Sequence, residues 1–238
     1  MPDFRQLVRT GSTSFGLLAL CGMVGNTHAQ EFTIYGALTS DYVYRGISNS
    51  DEHAAVQLAL DVSTESGLFG GVWSSTTDIS SGDRKRSLEV DYYLGYVRYF
   101  ENDWSASVSL NRTTYPGAAG NISYDYNEFS AVLGFDDRLW VEVDYTDSIF
   151  GHGESAYNVE ILANWPLPAS LTLSAGLGHN DVSNIAGSAY SHWQVGVSRP
   201  LGWAMVDLRY HDTSNVPAQF SPANLADPRI VLTLSAAF

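Results

Sequence analysis

The chain has 238 residues, with 26 acidic against 12 basic side chains and a net charge of −14, so it lacks the basic footprint that nucleic-acid binding needs. Aromatic residues make up 13 % of it, which excludes an acidic disordered protein. Its single cysteine excludes a disulfide framework.

The first segment reads as a leader. Arg5 and Arg9 give a positive start, Phe15 to Val24 is apolar, and Thr27-His28-Ala29 puts small residues where a signal peptidase reads. The apolar stretch is too short to cross a bilayer as a helix. A lipoprotein leader would end at Cys21, but bulky Leu20 stands where such leaders carry a small residue. The reading is therefore a cleaved signal peptide over residues 1–29 and one domain over residues 30–238. Without Asp3, Arg5 and Arg9 that domain keeps 25 acidic and 10 basic residues, a net charge of −15.

From there the chain alternates apolar and polar residues in segments of about ten, the length of a tilted membrane-crossing strand. The first sets Phe32, Ile34, Gly36 and Leu38 against Thr33, Tyr35, Ala37 and Thr39. The second sets Val56, Leu58, Leu60 and Val62 against Gln57, Ala59, Asp61 and Ser63. The third, Leu68 to Asp78, has an ambiguous phase. Leu88 to Gly95 and Ser105 to Asn111 follow, then Leu139 to Thr146, Asn158 to Asn164, Leu171 to Leu177 and Ile230 to Phe238. Period-2 alternation with no long apolar run predicts an all-β fold: one antiparallel, up-and-down transmembrane barrel of about 12 strands.

The connections alternate in length. Short ones sit at Glu65-Ser66-Gly67, Glu101-Asn102-Asp103, Asp136-Asp137-Arg138, Pro166-Leu167-Pro168 and Pro200-Leu201-Gly202. Longer ones sit near Asn49–His53, Ile79–Arg86, Pro116–Asn121, Phe150–Ser155, Val182–Ser188 and Asn215–Pro228. Outer-membrane barrels show this asymmetry, with short turns in the periplasm, and an even strand count puts both termini there. Aromatics sharpen the reading. Phe32, Phe69, Phe100, Trp104, Phe135, Trp140, Trp165, Trp203 and Phe238 lie near the short turns. Tyr42, Tyr44, Trp73, Tyr115, Tyr124, Tyr145, Tyr157, Tyr190 and Tyr210 lie near the long loops. Two belts at strand ends are expected of a membrane barrel and not of a soluble β-sandwich, whose strands also alternate. The final aromatic, Phe238, reads as the mark by which the barrel-assembly machinery knows the last strand.

Several blocks carry a resemblance. Ser40 to Ser48 (SDYVYRGIS) with Ala55-Val56-Gln57, Ser66 to Trp73, Glu89 to Tyr96, Tyr115-Pro116-Gly117, Trp193 to Ser198 and Asp227 to Phe238 together resemble the TorF family of porins. The resemblance spans nearly all of residues 31–238 and implies an outer-membrane barrel that lets small solutes pass; it supplies no catalytic residue. This chain departs from it in carrying one lysine, Lys85.

If the apolar faces meet lipid, Asp41, Asp61, Glu89, Asp91, Glu128, Glu142, Asp144, Glu160 and Asp207 face the lumen, with Arg45 and Arg209 against them. Such a lining favours cations. The plainer alternative is a structural network that pairs or protonates these carboxylates and fills the barrel. Barrels of about eight strands are filled by side chains and those of about sixteen hold water, so twelve leaves both open. Arg45 is expected at the outer end of the first strand, either contacting a solute or lipopolysaccharide phosphate or pairing with Asp41, Asp61 or Asp207. Gly46 is expected to permit a bend or bulge at the rim.

The loop acids Asp78, Asp83, Asp181, Asp212 and Asp227 follow no calcium-loop spacing and read as solvated. His152, His179, His192 and His211 fall in the outer half, where His211-Asp212 or His179-Asn180-Asp181 would supply a base and its orienting carboxylate for a rim hydrolase; no nucleophile-elbow or zinc motif accompanies them, so they read as histidines of a polar rim and the expectation is that the protein is not an enzyme. Gly176-Leu177-Gly178 lies within a strand, so it reads as relief of crowding and not as a phosphate loop. The expected partners are outer-membrane lipids, lipopolysaccharide, the assembly machinery and small solutes, with no cofactor. A non-conducting structural or surface-interaction barrel is the alternative.

Overall fold

A computed structural model describes residues 31–81, 84–118, 123–220 and 224–238. The proposed leader, Cys21 and Asp83 lie outside them. The strands are β1 (Glu31–Thr39), β2 (Val43–Tyr44), β3 (Ile47–Ser48), β4 (Ala55–Ser63), β5 (Leu68–Ser81), β6 (Arg84–Tyr99) and β7 (Trp104–Thr114). They continue as β8 (Tyr126–Phe135), β9 (Leu139–Thr146), β10 (Ala156–Leu167), β11 (Leu171–Asp181), β12 (Ala189–Leu201), β13 (Ala204–Ser214) and β14 (Arg229–Ala237). All except β2 and β3 form one closed barrel of twelve antiparallel strands in chain order, with β14 pairing back to β1.

The pleat inverts the usual arrangement of a soluble protein. Ile34, Leu38, Leu58, Leu94, Leu110, Leu177, Leu208 and Ile230 are exposed on the outer surface, while the alternate positions are buried and mostly polar. Water would penalise this outer face, whereas hydrocarbon would not. Closure pairs every strand edge, as a lipid-exposed sheet requires.

Short turns close one end. Asn102, Asp103, Asp136 and Asp137 take left-handed backbone there, which Asn and Asp tolerate better than other non-glycine residues. The turn expected at Pro166-Leu167-Pro168 lies slightly later, with Ala169 and Ser170 left-handed, because β10 and β11 pair through Leu167 and Leu171. At the other end, the segment read as a loop at Ile79–Arg86 continues the β5–β6 ladder beyond a register shift between Thr76 and Ile79.

The strand of ambiguous phase is resolved as well. Leu68 and Val72 face outward, while Phe69 and Trp73 turn inward. Phe69 finds room because Gly95 stands opposite it; a Cβ there would lie 2.3 Å from the ring.

The aromatic belts are partly corrected. Phe32, Phe100, Trp104, Phe135, Trp165, Trp203 and Phe238 are exposed at the short-turn end, but Trp140 is buried over Gly134. At the long-loop end Tyr145 and Tyr157 are exposed. Tyr42, Tyr44, Tyr115, Tyr124 and Tyr190 instead turn into the barrel. Tyr115, Tyr124, Tyr126 and Tyr190 pack with Ile149 and Val182, joined by the partly buried Phe150 and Phe220, into an apolar cluster inside the mouth. Proximity to a strand end sets a ring's height in the barrel; only the phase of the pleat decides which side it faces.

Candidate functional site

The interior is built from the polar face of the strands and one segment that leaves the wall. After β1 the chain turns inward and forms the β2–β3 hairpin, paired Val43↔Ser48 and Tyr44↔Ile47. Arg45 and Gly46 make its tip in left-handed backbone, at φ 47° and 82°. Arg45 is therefore not at the rim, as its place in the sequence implied, and Gly46 makes no rim bulge. A Cβ on Gly46 would lie 2.3 Å from Thr213 Cγ2 and 2.9 Å from His192 Cβ, so the tip presses on the β12–β13 wall.

From that tip Arg45, 2 % exposed, reaches strands β8 and β9. Its Nη2 donates to both oxygens of Glu128 at 3.1 Å and to Asp144 Oδ2 at 2.8 Å. Neither acid is one of its three expected partners. Asn158 donates to the same Asp144 oxygen at 3.2 Å, and a ring nitrogen of His192 lies 3.0 Å from Asn158 Oδ1. The hairpin thus braces one wall of the barrel against another.

Its stem is also held. Asp41 accepts hydrogen bonds from Ser48 at 2.6 Å and Ser50 at 2.8 Å, and pairs with Arg229 Nη1 at 2.7 Å. The Tyr42 hydroxyl donates to Glu89 Oε1 at 2.9 Å, and its ring meets Trp73 edge-on.

A second network lies flat on the wall. Arg209 grips Asp207 through Nε and Nη2, at 3.1 and 2.9 Å, and donates from Nη1 to Gln194 at 3.0 Å. Gln194 in turn donates to Glu160 at 3.2 Å. Gly176 and Gly196 make room for these side chains, since a Cβ on either would crowd Gln194, Glu160 or Arg209. Gly178 does the same for His192. Tyr93 donates to Asp61 over Gly71.

All the singled-out carboxylates thus lie inside: Asp61, Glu89, Asp91, Glu128, Glu142, Asp144 and Glu160 on strand faces, Asp207 partly buried on β13, and Asp41 at the hairpin stem. Three arginines accompany them among the described side chains, Arg45, Arg209 and Arg229. Arg229 escaped the sequence reading, although alternation from outward Ile230 and Leu232 puts it on the inner face of β14.

The histidines are split. His192 and His211 are buried inside, His179 faces outward beside Ser191 at 3.2 Å, and His152 is exposed. His211 and Asp212 are neighbours on one strand and face opposite sides of the wall. Of the loop acids, Asp181 accepts from the Ser183 backbone N–H. Asp78 converges with Asp51 and His53, ligand atoms within 4.8 Å of one another, a grouping that sequence spacing did not show.

At the seam, Phe238 exchanges backbone hydrogen bonds with Ile34 at 2.8 and 3.0 Å and stacks on Trp203.

Residues 24–238 match a family described as a bacterial protein of unknown function, Gcw_chp. No curated relative matches the sequence. Among solved structures, the KdgM porin is similar at TM-score 0.53 and 10 % identity, over 87 % of this chain and 99 % of that one. The NanC porin is similar at 0.52 and 10 %, over 87 % and 98 %. The COG4313 outer membrane channel from Pseudomonas putida F1 is similar at 0.50 and 12 %, over 90 % and 96 %. At these identities the likeness is one of fold.

Proposed function

The chain belongs to the Gcw_chp family, and we propose that it is an outer-membrane porin of the TorF type, passing small solutes by diffusion with a preference for cations. The observation that carries this reading is the inversion of the fold: an apolar exterior around an interior where nine carboxylates meet three arginines. An excess of fixed negative charge concentrates cations and repels anions. Under this reading the aromatic rings at the short-turn end sit at the periplasmic interface, and the long loops face outside. The leader directs export, Phe238 marks the last strand for assembly, and lipid and lipopolysaccharide surround the barrel. A KdgM porin has been solved with oligogalacturonate, a polyanion; the acidic interior here argues for a different class of solute.

The hairpin and the apolar cluster narrow the path, and these two features favour one other reading, a barrel that is closed and acts structurally. Conductance of the refolded, heat-modifiable protein in a planar bilayer, under a salt gradient, separates the two. The porin reading expects stable single-channel steps and a cation-directed reversal potential. Folded protein without steps rejects it in favour of the closed barrel.

A further inference from the structure

We infer that the outside of the β10–β12 wall binds one anionic phospholipid at its short-turn end, with an acyl chain in a hollow at Ala163 and Ala175 and the phosphate on Arg199. The site needs the barrel to lie in a membrane, as proposed above, and is independent of whether solutes cross it. Ala163 on β10 and Ala175 on β11 are direct cross-strand partners in the outward phase. The larger Leu139 and Val195 flank the pair on β9 and β12. Trp165 and Leu173, also partners, stand two residues nearer the turn. Between these side chains the two alanines leave a hollow of about 130 Å³. A void beside packed side chains forfeits their dispersion contacts, and a flexible hydrocarbon chain restores them.

Charge at the turns selects the head group. Arg199 is exposed in the outward phase of β12, one residue past the pair Thr172↔Ser198. No acid among the described residues pairs with it. Of the other arginines at this end, Arg98 lies over the Phe100 ring and Arg138 pairs with Asp136. The turns beside Arg199, Pro166 to Leu171 and Arg199 to Trp203, carry no acid, whereas Glu65, Glu101, Asp103, Asp136 and Asp137 occupy the other three short turns. This sector of the rim is thus the one that suits an anion, and a guanidinium meets phosphate in a two-point contact. Trp165 and Trp203 are exposed beside the same two turns, and indoles favour the depth of the head groups. Arg199 lies four residues along β12 from Val195, about 13 Å, which fits within the roughly 15 Å of hydrocarbon in one leaflet. A lipid whose phosphate meets Arg199 therefore has its acyl chain at the level of the hollow.

The test uses the refolded barrel in detergent, with dioleoyl phosphatidylglycerol as the probe and dioleoyl phosphatidylethanolamine as its zwitterionic comparison. Native mass spectrometry counts the lipids bound across a titration. One tight lipid is expected, with phosphatidylglycerol held about fivefold more tightly, the worth of one arginine at an anionic head group. Arg199→Gln should remove that preference, and Arg98→Gln should leave it. Ala175→Leu fills the hollow and should weaken both lipids alike. Heat-modifiable mobility of each variant shows that lost lipid is not lost fold. A preference unchanged in Arg199→Gln, or lipids that bind in a series of equal sites, would overturn the inference. A mass of two chains that Ala175→Leu returns to one would overturn it too, and would make the hollow an interface between copies of the barrel.

Discussion

Arg45 shows how much one side chain depends on the two acids it meets. It is buried with Glu128 and Asp144, so removing it leaves two carboxylates without their cation. Breaking a buried pair from one side costs about 3–5 kcal/mol, more than the pair itself contributes. Arg45→Ala should therefore lower the unfolding transition in detergent, and adding Glu128→Gln should recover part of the loss; equal losses in both variants would show that the ion pair is not what is being disturbed. A milder case lies at a short turn. Burial, followed by Asp136 and Asp103, raises the carboxyl of Asp137 above its ordinary range. An acid whose folded pKa is raised weakens the fold once it ionises, so Asp137→Asn should stabilise the protein at neutral pH. The gain should shrink as the pH falls and vanish below about pH 3, where the wild-type carboxyl is protonated in both states. Thermal unfolding at the two pH values checks this. Alternation alone made the inward carboxylates legible on the strands. It could not reveal Arg45's partners, because these lie 83 and 99 residues away across the lumen.

Among the elements, the β2–β3 hairpin was the least legible. Its four strand residues are too few to show a period, and the sequence from Ser40 to Ser48 reads equally as a rim loop. What folds it inward is tertiary: the press of Gly46 on Thr213, the reach of Arg45, and the serine donors around Asp41. A crossing element of this kind narrows any path through the barrel. Replacing residues 43–48 with a short Gly-Ser linker should raise single-channel conductance several-fold, while heat-modifiable mobility shows that the wall still closes. Unchanged conductance would locate the constriction in the apolar cluster at the mouth. The strands themselves were readable almost end to end because lipid and lumen impose a two-residue repeat on every one of them. The exception, β5, carries glycines at Gly70 and Gly71, which have no side chain to mark either face.

For the molecule as a whole, the porin reading makes the sign of the interior charge the property that passing ions would sense. Neutralising Glu142, Asp144 and Glu160 together, as Glu142→Gln, Asp144→Asn and Glu160→Gln, should move the reversal potential toward anions. No shift would mean that ions do not pass these residues. Orientation is a second whole-molecule property. Cysteines in place of His152 and Asp137 should label from outside intact cells and only after permeabilisation, respectively, and the opposite pattern would invert the barrel. The closed circle was legible from alternation and turn lengths, whereas the filling of the lumen was not, since it depends on side chains meeting across the barrel. The seam between β1 and β14 has a consequence in time. Its hydrogen bonds join Ile34, among the earliest residues of the barrel to be synthesised, to Phe238, among the latest. Until that second strand arrives, the growing sheet has two open edges, each able to recruit a strand from a neighbouring copy. The circle thus acts as a check on delivery: a chain interrupted anywhere before its last nine-residue strand cannot close and stays a template for aggregation.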